Sequence, residues 1–111
     1  MNYDIKIDKF STKYYYINNV LHREDGPAVE YVNGSKCWYK NGNIHRDGGP
    51  AMEFVDGRKY WYKNGKRHRE YGPAIEYKEV KFWFLNDILY GKNDAFTVES
   101  WQKFIKTIIF S

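Results

Sequence analysis

The sequence predicts a mainly β fold: an array of about four β-hairpin repeats of about 23 residues each, which form a twisted antiparallel sheet capped by one C-terminal amphipathic α-helix. Three observations predict it. An aromatic motif recurs at intervals of 23, 23 and 22 residues, dipeptides typical of hairpin turns separate the apolar segments, and the apolar period changes near the C-terminus. Units of this length cannot bury a core alone and are expected to stack on their neighbours.

Each copy of the repeat contains a lysine, two adjacent aromatic residues and an asparagine at fixed offsets. The four copies are Lys13, Tyr15, Tyr16, Asn18; Lys36, Trp38, Tyr39, Asn41; Lys59, Trp61, Tyr62, Asn64; and Lys81, Trp83, Phe84, Asn86. A His-Arg pair followed by Gly-Pro-Ala comes after each of the first three copies, beginning at His22, His45 and His68. In the fourth copy Tyr90-Gly91 replaces His-Arg, which is typical of an end cap.

Turn dipeptides predict the strands of each unit. Asn33-Gly34, Asn41-Gly42, Asp56-Gly57 and Asn64-Gly65 favour two-residue type I′ hairpins. The first full unit should then have strands over residues 28–32, 35–40 and 43–46, and Gly-Pro should end its ladder. The third unit is one residue shorter across Lys78 to Val80, so its first turn should differ.

Two-residue turns would also fix the faces of the sheet. Val29 would lie opposite Trp38, and Trp38 opposite His45, on a buried apolar face that Tyr31, Phe54 and Tyr77 extend. Glu30, Cys37 and Arg46 would form a row on the other face. The next unit should repeat the pattern, with Met52, Trp61 and His68 on one face and Glu53, Tyr60 and Arg69 on the other.

The C-terminal segment has a helical period. Its apolar residues recur at spacings of three and four: Val98, Trp101, Phe104, Ile105, Ile108 and Ile109. Thr97 is a candidate N-cap, and Glu99 suits the helix dipole. We therefore predict a single domain over residues 1–111, with an N-terminal strand or cap at 3–12, repeats at 13–92 and a capping helix at 97–110.

Composition limits the classes of protein. Among the 111 residues, 42% are hydrophobic and 29% charged, so a globular chain is expected, and no apolar run is long enough to cross a bilayer. Residues 1–10 have no apolar core of a secretory signal, and Cys37 is the one cysteine, so a reducing cytoplasm is expected. The net charge is +4, and the acidic residues are interspersed among the basic ones rather than separated from them.

The reactive residue types all lie on repeated positions. His22, His45 and His68 should form a row rather than converge on a metal, and we expect them to pack beside the aromatic residues with their ring nitrogens bonded to backbone. Cys37 takes the place of Tyr14, Tyr60 and Phe82 in the other copies, so it is not expected to be a nucleophile. The sequence therefore predicts neither an enzyme nor a bound cofactor or metal.

The segments HREDGPAVEYVNGSKCWYKNGNIHR and HREYGPAIEY resemble the short MORN-like repeat proteins of tailed phages and giant DNA viruses, which alternate H-R-x-x-G-P-A with W-Y-x-N-G. The resemblance covers residues 14–90. It implies a β-hairpin array of viral origin, and for a phage protein of this size it implies binding to a host protein.

The predicted function is that of a non-enzymatic protein-binding module. Seven aromatic and basic residues are the candidate binding residues: Arg23, Tyr39, Arg46, Tyr60, Tyr62, Arg67 and Arg69. The three arginines of the His-Arg motif could equally form a cross-strand charge ladder with the glutamates. An alternative is binding of nucleic acid or a small anionic ligand by the aromatic residues and nearby Lys13, Lys36, Lys40, Lys59, Lys63, Lys66 and Arg67. A third is self-assembly through sheet edges.

Overall fold

A computed structural model describes residues 1–109, with the side chain of Ile109 excepted, and Phe110 and Ser111 lie outside the description. The strands are β1 Asp4–Ile7, β2 Lys13–Ile17, β3 Val20–Leu21, β4 Val29–Glu30, β5 Lys36–Cys37, β6 Tyr39–Lys40, β7 Asn43–Ile44, β8 Met52–Glu53, β9 Lys59–Tyr60, β10 Tyr62–Lys63, β11 Lys66–Arg67, β12 Ile75–Tyr77, β13 Val80–Leu85 and β14 Ile88–Lys92. A 3₁₀ turn at Asn93–Ala95 precedes the helix α1, Val98–Ile109. The predicted mainly β fold with a C-terminal helix is confirmed.

The strands form a ten-stranded antiparallel sheet in the order β1-β2-β4-β5-β8-β9-β12-β13-β14, with β3 also paired to β2. The hairpins β6-β7 and β10-β11 lie beside it. The central segments of two units are interrupted at their tryptophans, at Trp38 between β5 and β6 and at Trp61 between β9 and β10, whereas Tyr15 and Trp83 lie within the continuous strands β2 and β13. At Trp38 the first half, β5, pairs with β4 and with β8 of the next unit, and the second half, β6, forms a hairpin with β7.

The second turn of each unit is the predicted two-residue hairpin. Asn41 and Gly42 have φ values of 52° and 82°, and Lys40 pairs with Asn43 across them. Asn64-Gly65 repeats this geometry. Positive φ at both central residues defines type I′, and Asn-Gly accepts it at low cost.

The first turn of the first two full units differs from the prediction. The Tyr31 amide donates to the Ser35 carbonyl at 3.0 Å and the Gly34 amide to the Tyr31 carbonyl at 3.0 Å, so three residues form the loop. Gly34 has φ 96°, as in the loop with a type I turn followed by a left-handed glycine. The Asp56-Gly57 turn repeats these bonds between Phe54 and Arg58. The shorter third unit has a two-residue turn between Tyr77 and Val80, so its turn differs from those of the other two units, as its length predicted.

The longer loop moves the register by one residue and exchanges the faces of the sheet. Val29 pairs with Cys37 rather than Trp38, and Met52 with Tyr60 rather than Trp61. Because neighbouring residues of a strand point to opposite faces, the predicted partners and faces in both of these hairpins were wrong. The pairing of Trp38 with His45 is confirmed, since the His45 amide donates to the Trp38 carbonyl at 3.1 Å.

Helix α1 covers the last unit of the array. Its core cluster joins Trp83 and Leu85 of the sheet to Trp101 and Ile105 of the helix. The Trp101 indole N–H donates to the Arg69 carbonyl at 2.9 Å. The predicted stripe therefore packs on the array, although Val98 at its start is 45% exposed.

The helix begins with a reciprocal cap. Thr97 Oγ1 accepts the Ser100 amide at 3.1 Å, and Ser100 Oγ accepts the Thr97 amide at 2.8 Å. Two amide groups at the helix start are thereby satisfied, which confirms Thr97 as the N-cap.

Candidate functional site

The arginine of each His-Arg pair stacks on the aromatic residue of its own unit. The Arg46 guanidinium carbon lies 3.9 Å from the centroid of Trp38, and the corresponding distances are 3.8 Å for Arg23 over Tyr15 and 3.7 Å for Arg69 over Trp61. Stacking of this kind combines dispersion with attraction of the cation to the ring face.

The rest of the repeated motif encloses the guanidinium. A Cβ added to Gly49 would lie 2.9 Å from Arg46 Cζ, so glycine leaves room for the group. Arg46 Nη1 donates to the Pro50 carbonyl and to Glu53, both at 3.1 Å. The same bonds form at Arg23 and Arg69, with Pro27 and Glu30 and with Pro73 and Glu76 respectively. The H-R-x-x-G-P-A motif is therefore a structural unit built around an arginine.

This geometry corrects the predicted row of Glu30, Cys37 and Arg46. Arg46 bonds Glu53 of the following hairpin, while Glu30 bonds Arg23. Cys37 lies on the opposite face, in the row of Val29 and Met52. The arginines do pair with glutamates, one hairpin later than expected.

A ladder of alternating charge runs across the same face. Its members are paired directly across consecutive strands in the order Lys13, Glu30, Lys36, Glu53, Lys59, Glu76 and Lys81. Opposite charges across strands favour one register over its alternatives. Four of these residues are lysines of the repeated motif, and each has a glutamate directly opposite.

The histidines connect consecutive units. His22 Nδ1 accepts the Asn41 amide at 2.9 Å, His45 Nδ1 the Asn64 amide at 2.9 Å and His68 Nδ1 the Asn86 amide at 3.1 Å. Because Nδ1 accepts, the neutral ring has its proton on Nε2. Backbone bonding is thus confirmed for Nδ1, whereas Nε2 of His22 and of His45 lies 2.6 and 3.2 Å from the carboxylates of Glu24 and Asp47. Within residues 1–109 no group of three or more His, Cys, Asp or Glu side chains is arranged to hold a metal ion.

The other side of the sheet is rich in tyrosine. In the paired strands, Tyr14, Val29, Cys37, Met52, Tyr60, Ile75 and Phe82 form a row along it. We call six residues of this side the tyrosine face: Tyr14, Tyr16, Tyr31, Tyr39, Tyr60 and Tyr62. Tyr31 is 42% exposed and the other five are half-buried.

The tyrosine face is continuous across units. Tyr14 and Tyr16 lie on one strand with their rings 6.3 Å apart, and burial raises the pKa of Tyr31 of the next hairpin, with smaller contributions from Cys37, Tyr39 and Tyr14. Burial raises the pKa of Tyr39 and of Tyr62, and the nearby Cys37 adds a smaller increase to the pKa of each. The phenols therefore stay protonated at neutral pH and can donate hydrogen bonds. Cys37 itself is buried beneath them.

Arg67 lies at one end of this face. It pairs with Tyr62 across the hairpin, and its guanidinium carbon lies 4.3 Å from the centroid of Phe84. Its Nε donates to Asp87 Oδ1 at 2.9 Å. Two hydrogen bonds from Arg67 lower the pKa of the Asp87 carboxyl. The bond from the backbone amide has the larger effect, and the bond from the side chain comes second.

The predicted binding residues thus separate into two groups. Tyr39, Tyr60, Tyr62 and Arg67 lie together on the tyrosine side, while Arg23, Arg46 and Arg69 lie on the opposite side within their own repeats. Tyr14, Tyr16 and Tyr31 of this face were not among the residues predicted from the sequence to bind. The missed signal was the three-residue loop, which puts Tyr31 on the face of Cys37.

Two clefts lie between consecutive His-Arg loops, with volumes of about 560 and 400 Å³. Trp38, Lys40 and Asp47 line the first, and Trp61, Lys63 and Glu70 take equivalent positions in the second. Their other charged groups are already paired, as Arg23 is with Asp25 and His45 with Asp47. Two residues of the tyrosine face also line these clefts, Tyr39 the first and Tyr62 the second.

Compared with models of protein families, with curated proteins and with solved structures, the chain matches none of them. Within residues 1–109, no helix has the length and apolar character needed to cross a membrane.

Proposed function

We propose that this chain is a non-enzymatic repeat domain that binds another protein through its tyrosine face. The observation that carries the proposal is that six tyrosines from three consecutive units lie on one side of the sheet with their rings partly exposed. Tyrosine gives a large rigid contact area with a polar tip, and it is enriched in protein interfaces.

The position of Arg67 supports the same surface. Tyrosine and arginine are the residue types most often found at the energetic centres of interfaces. Arg67 is held beside Tyr62 by Asp87, so little side-chain freedom is lost when a partner binds. A host protein as the partner, and the host cytoplasm as the location, belong to this proposal and rest on the resemblance to phage repeat proteins.

Nucleic acid is the competing ligand, and the charge ladder argues against it. Lys13, Lys36 and Lys59 each lie directly opposite a glutamate, and Arg67 is paired with Asp87. Lys40, Lys63 and Lys66 have no glutamate opposite them, since Lys40 pairs with Asn43 and Lys63 with Lys66, but three lysines are a short track for a phosphate backbone.

The experiment uses the tagged chain as bait in host lysate with nuclease added, followed by binding of the purified partner. The variant Tyr39→Ser/Tyr62→Ser should lose at least tenfold in affinity, since two central aromatic contacts typically contribute more than ~1.4 kcal/mol. The matched control Val32→Ser/Val55→Ser changes two exposed loop residues of equivalent units and should bind normally. Circular dichroism verifies that all variants fold. Equal binding by both variants, or loss of the complex on nuclease treatment, overturns the proposal.

A further inference from the structure

We infer that the N-terminal edge strand β1 pairs antiparallel with β1 of a second copy of this chain, so that two arrays join into one sheet. All four residues of β1 are exposed, and Ile5 and Ile7 are 52% and 64% exposed. β1 is the first strand of the sheet order and therefore leaves one row of backbone groups without a strand partner. This inference does not depend on the proposed function.

The charges of β1 select one register for such a pair. Residues directly opposite in an antiparallel pair point to the same face, so a two-fold pair must be centred on a residue. Centred on Ile5, the pair places Asp4 of each copy opposite Lys6 of the other, which gives two ion pairs by symmetry. Ile5 then lies against Ile5 on the other face.

The neighbouring registers are unfavourable. Centring on Asp4 or on Lys6 places like charges opposite each other, which destabilises a strand pair. Centring on Ile7 brings Lys6 to Asp8, but the Asp8 carboxylate already accepts the amides of Phe10 and Thr12 at 2.9 and 3.0 Å. One register therefore satisfies both the charges and the faces.

The other edge lacks these properties. β14 has a register shift opposite Trp83 and Phe84, and such a bulge hinders further pairing. Centred on Tyr90, β14 would place Ile88 opposite Lys92 and would form no ion pair. The two edges therefore predict a closed dimer through β1 rather than an open filament.

The dimer would place the tyrosine faces of both copies on the same side of one sheet. The Cα register sets Asp4 opposite Tyr16 and Lys6 opposite Tyr14, so these charges lie on the tyrosine side. The Ile5 and Ile7 side chains lie on the opposite side, where Ile5 would contact Ile5 of the other copy and Ile7 would lie opposite its Tyr3. A four-residue strand buries little area, so the dimer is expected to be weak and concentration-dependent.

Sedimentation velocity of the full chain over a wide concentration range tests the inference. The wild type should show a monomer–dimer equilibrium, and Lys6→Asp should weaken the dimer about tenfold because two attractive pairs become repulsive. The double variant Asp4→Lys/Lys6→Asp exchanges the charges and should restore the dimer.

The matched control Lys92→Asp, on the other edge strand, should dimerise as the wild type does. A chain that stays monomeric at every concentration overturns the inference. So does a double variant that fails to recover dimerisation, or a Lys92→Asp variant that weakens it as much as Lys6→Asp does. Circular dichroism of each variant distinguishes loss of pairing from loss of fold.

Discussion

The guanidinium of Arg46 lies 3.9 Å from the ring centroid of Trp38, and a Cβ at Gly49 would lie 2.9 Å from its Cζ. The φ of Gly49 is not positive, so the glycine is required by space rather than by its backbone conformation. The Arg46 guanidinium is therefore sandwiched between the Trp38 ring and the backbone of Gly49, where a larger residue would not fit.

Substitution Gly49→Ala should therefore destabilise the chain by displacing Arg46 from the ring. Overpacking of this kind typically costs ~1–3 kcal/mol in the free energy of unfolding. Chemical denaturation of wild type, Gly49→Ala, Arg46→Ala and the double variant measures it. In the Arg46→Ala background the added methyl should cost much less, because the group that it displaces is gone. Equal costs in the two backgrounds would contradict the sandwich as the cause.

The positions of several turns could be predicted from the sequence, whereas the number of residues in each loop could not. Asn-Gly and Asp-Gly predicted the hairpins at their four positions, but not the length of each loop, and the turns at Asn18-Asn19 and Asn86-Asp87 contain neither dipeptide. At Asn41-Gly42 both residues have positive φ, whereas at Asn33-Gly34 only the glycine does. There Asn33 Oδ1 accepts the Ser35 amide at 2.9 Å, and Asp56 Oδ1 accepts the Arg58 amide at 3.0 Å. This local bond favours the three-residue loop, and the dipeptide alone does not indicate whether it will form.

The consequence for the candidate site is larger than the change in the loop. One residue of register moved Tyr31 to the face of Cys37 and left Trp38 with Arg46, so the predicted apolar and polar faces were mixed. The backbone bond of the His45 ring and the burial of Trp101 do not depend on the register of the first hairpin. The first could be predicted from the position in the repeat and the second from the helical period. The stacking of Arg46 on Trp38 could not be predicted, because the His-Arg and Gly-Pro-Ala segments are equally compatible with a turn in which the arginine is exposed.

Acid should weaken the junction between the third and fourth units. Burial lowers the pKa of His68, with Glu70 opposing this and Lys63 adding to it, and Nδ1 accepts the Asn86 amide in the neutral state. The folded pKa thus lies below the unfolded value of about 6.5, so the unfolded chain binds more protons in the interval between the two. This contribution is fully present above about pH 6.5 and is lost as the pH falls through the folded pKa.

The variant His68→Asn keeps an acceptor near Nδ1 but cannot be protonated there. Its free energy of unfolding should change less between pH 7 and pH 5.5 than that of the wild type. Denaturant titrations at both pH values measure the difference. An unchanged slope in His68→Asn would assign the acid sensitivity to other groups.

The thiol of Cys37 should be unreactive in the folded chain. Its side chain is buried between Val29 and Met52, and this burial raises the pKa of the thiol, while a hydrogen bond with Tyr31 opposes the rise. Thiolate, the reactive form, is therefore rare and inaccessible at neutral pH. A thiol-specific chromogenic reagent should react slowly with native protein and rapidly in denaturant. Rapid reaction in the native state would show that the sheet opens at the centre of the tyrosine face.

Helix α1 should contribute to stability through Trp101 rather than through the start of its apolar stripe. Trp101 is fully buried and its indole N–H donates to the Arg69 carbonyl, whereas Val98 is 45% exposed. Trp101→Phe leaves a void and an unsatisfied carbonyl, which together should cost ~2–4 kcal/mol in the free energy of unfolding. Val98→Ala should stay within ~0.5 kcal/mol, as substitutions of exposed residues usually do. Thermal denaturation of the two variants compares them directly.

Because the Arg69 carbonyl belongs to the third unit, Trp101→Phe should also speed hydrogen exchange at Arg69 and in β13. An effect confined to the helix amides would show that α1 packs on the array without stabilising it.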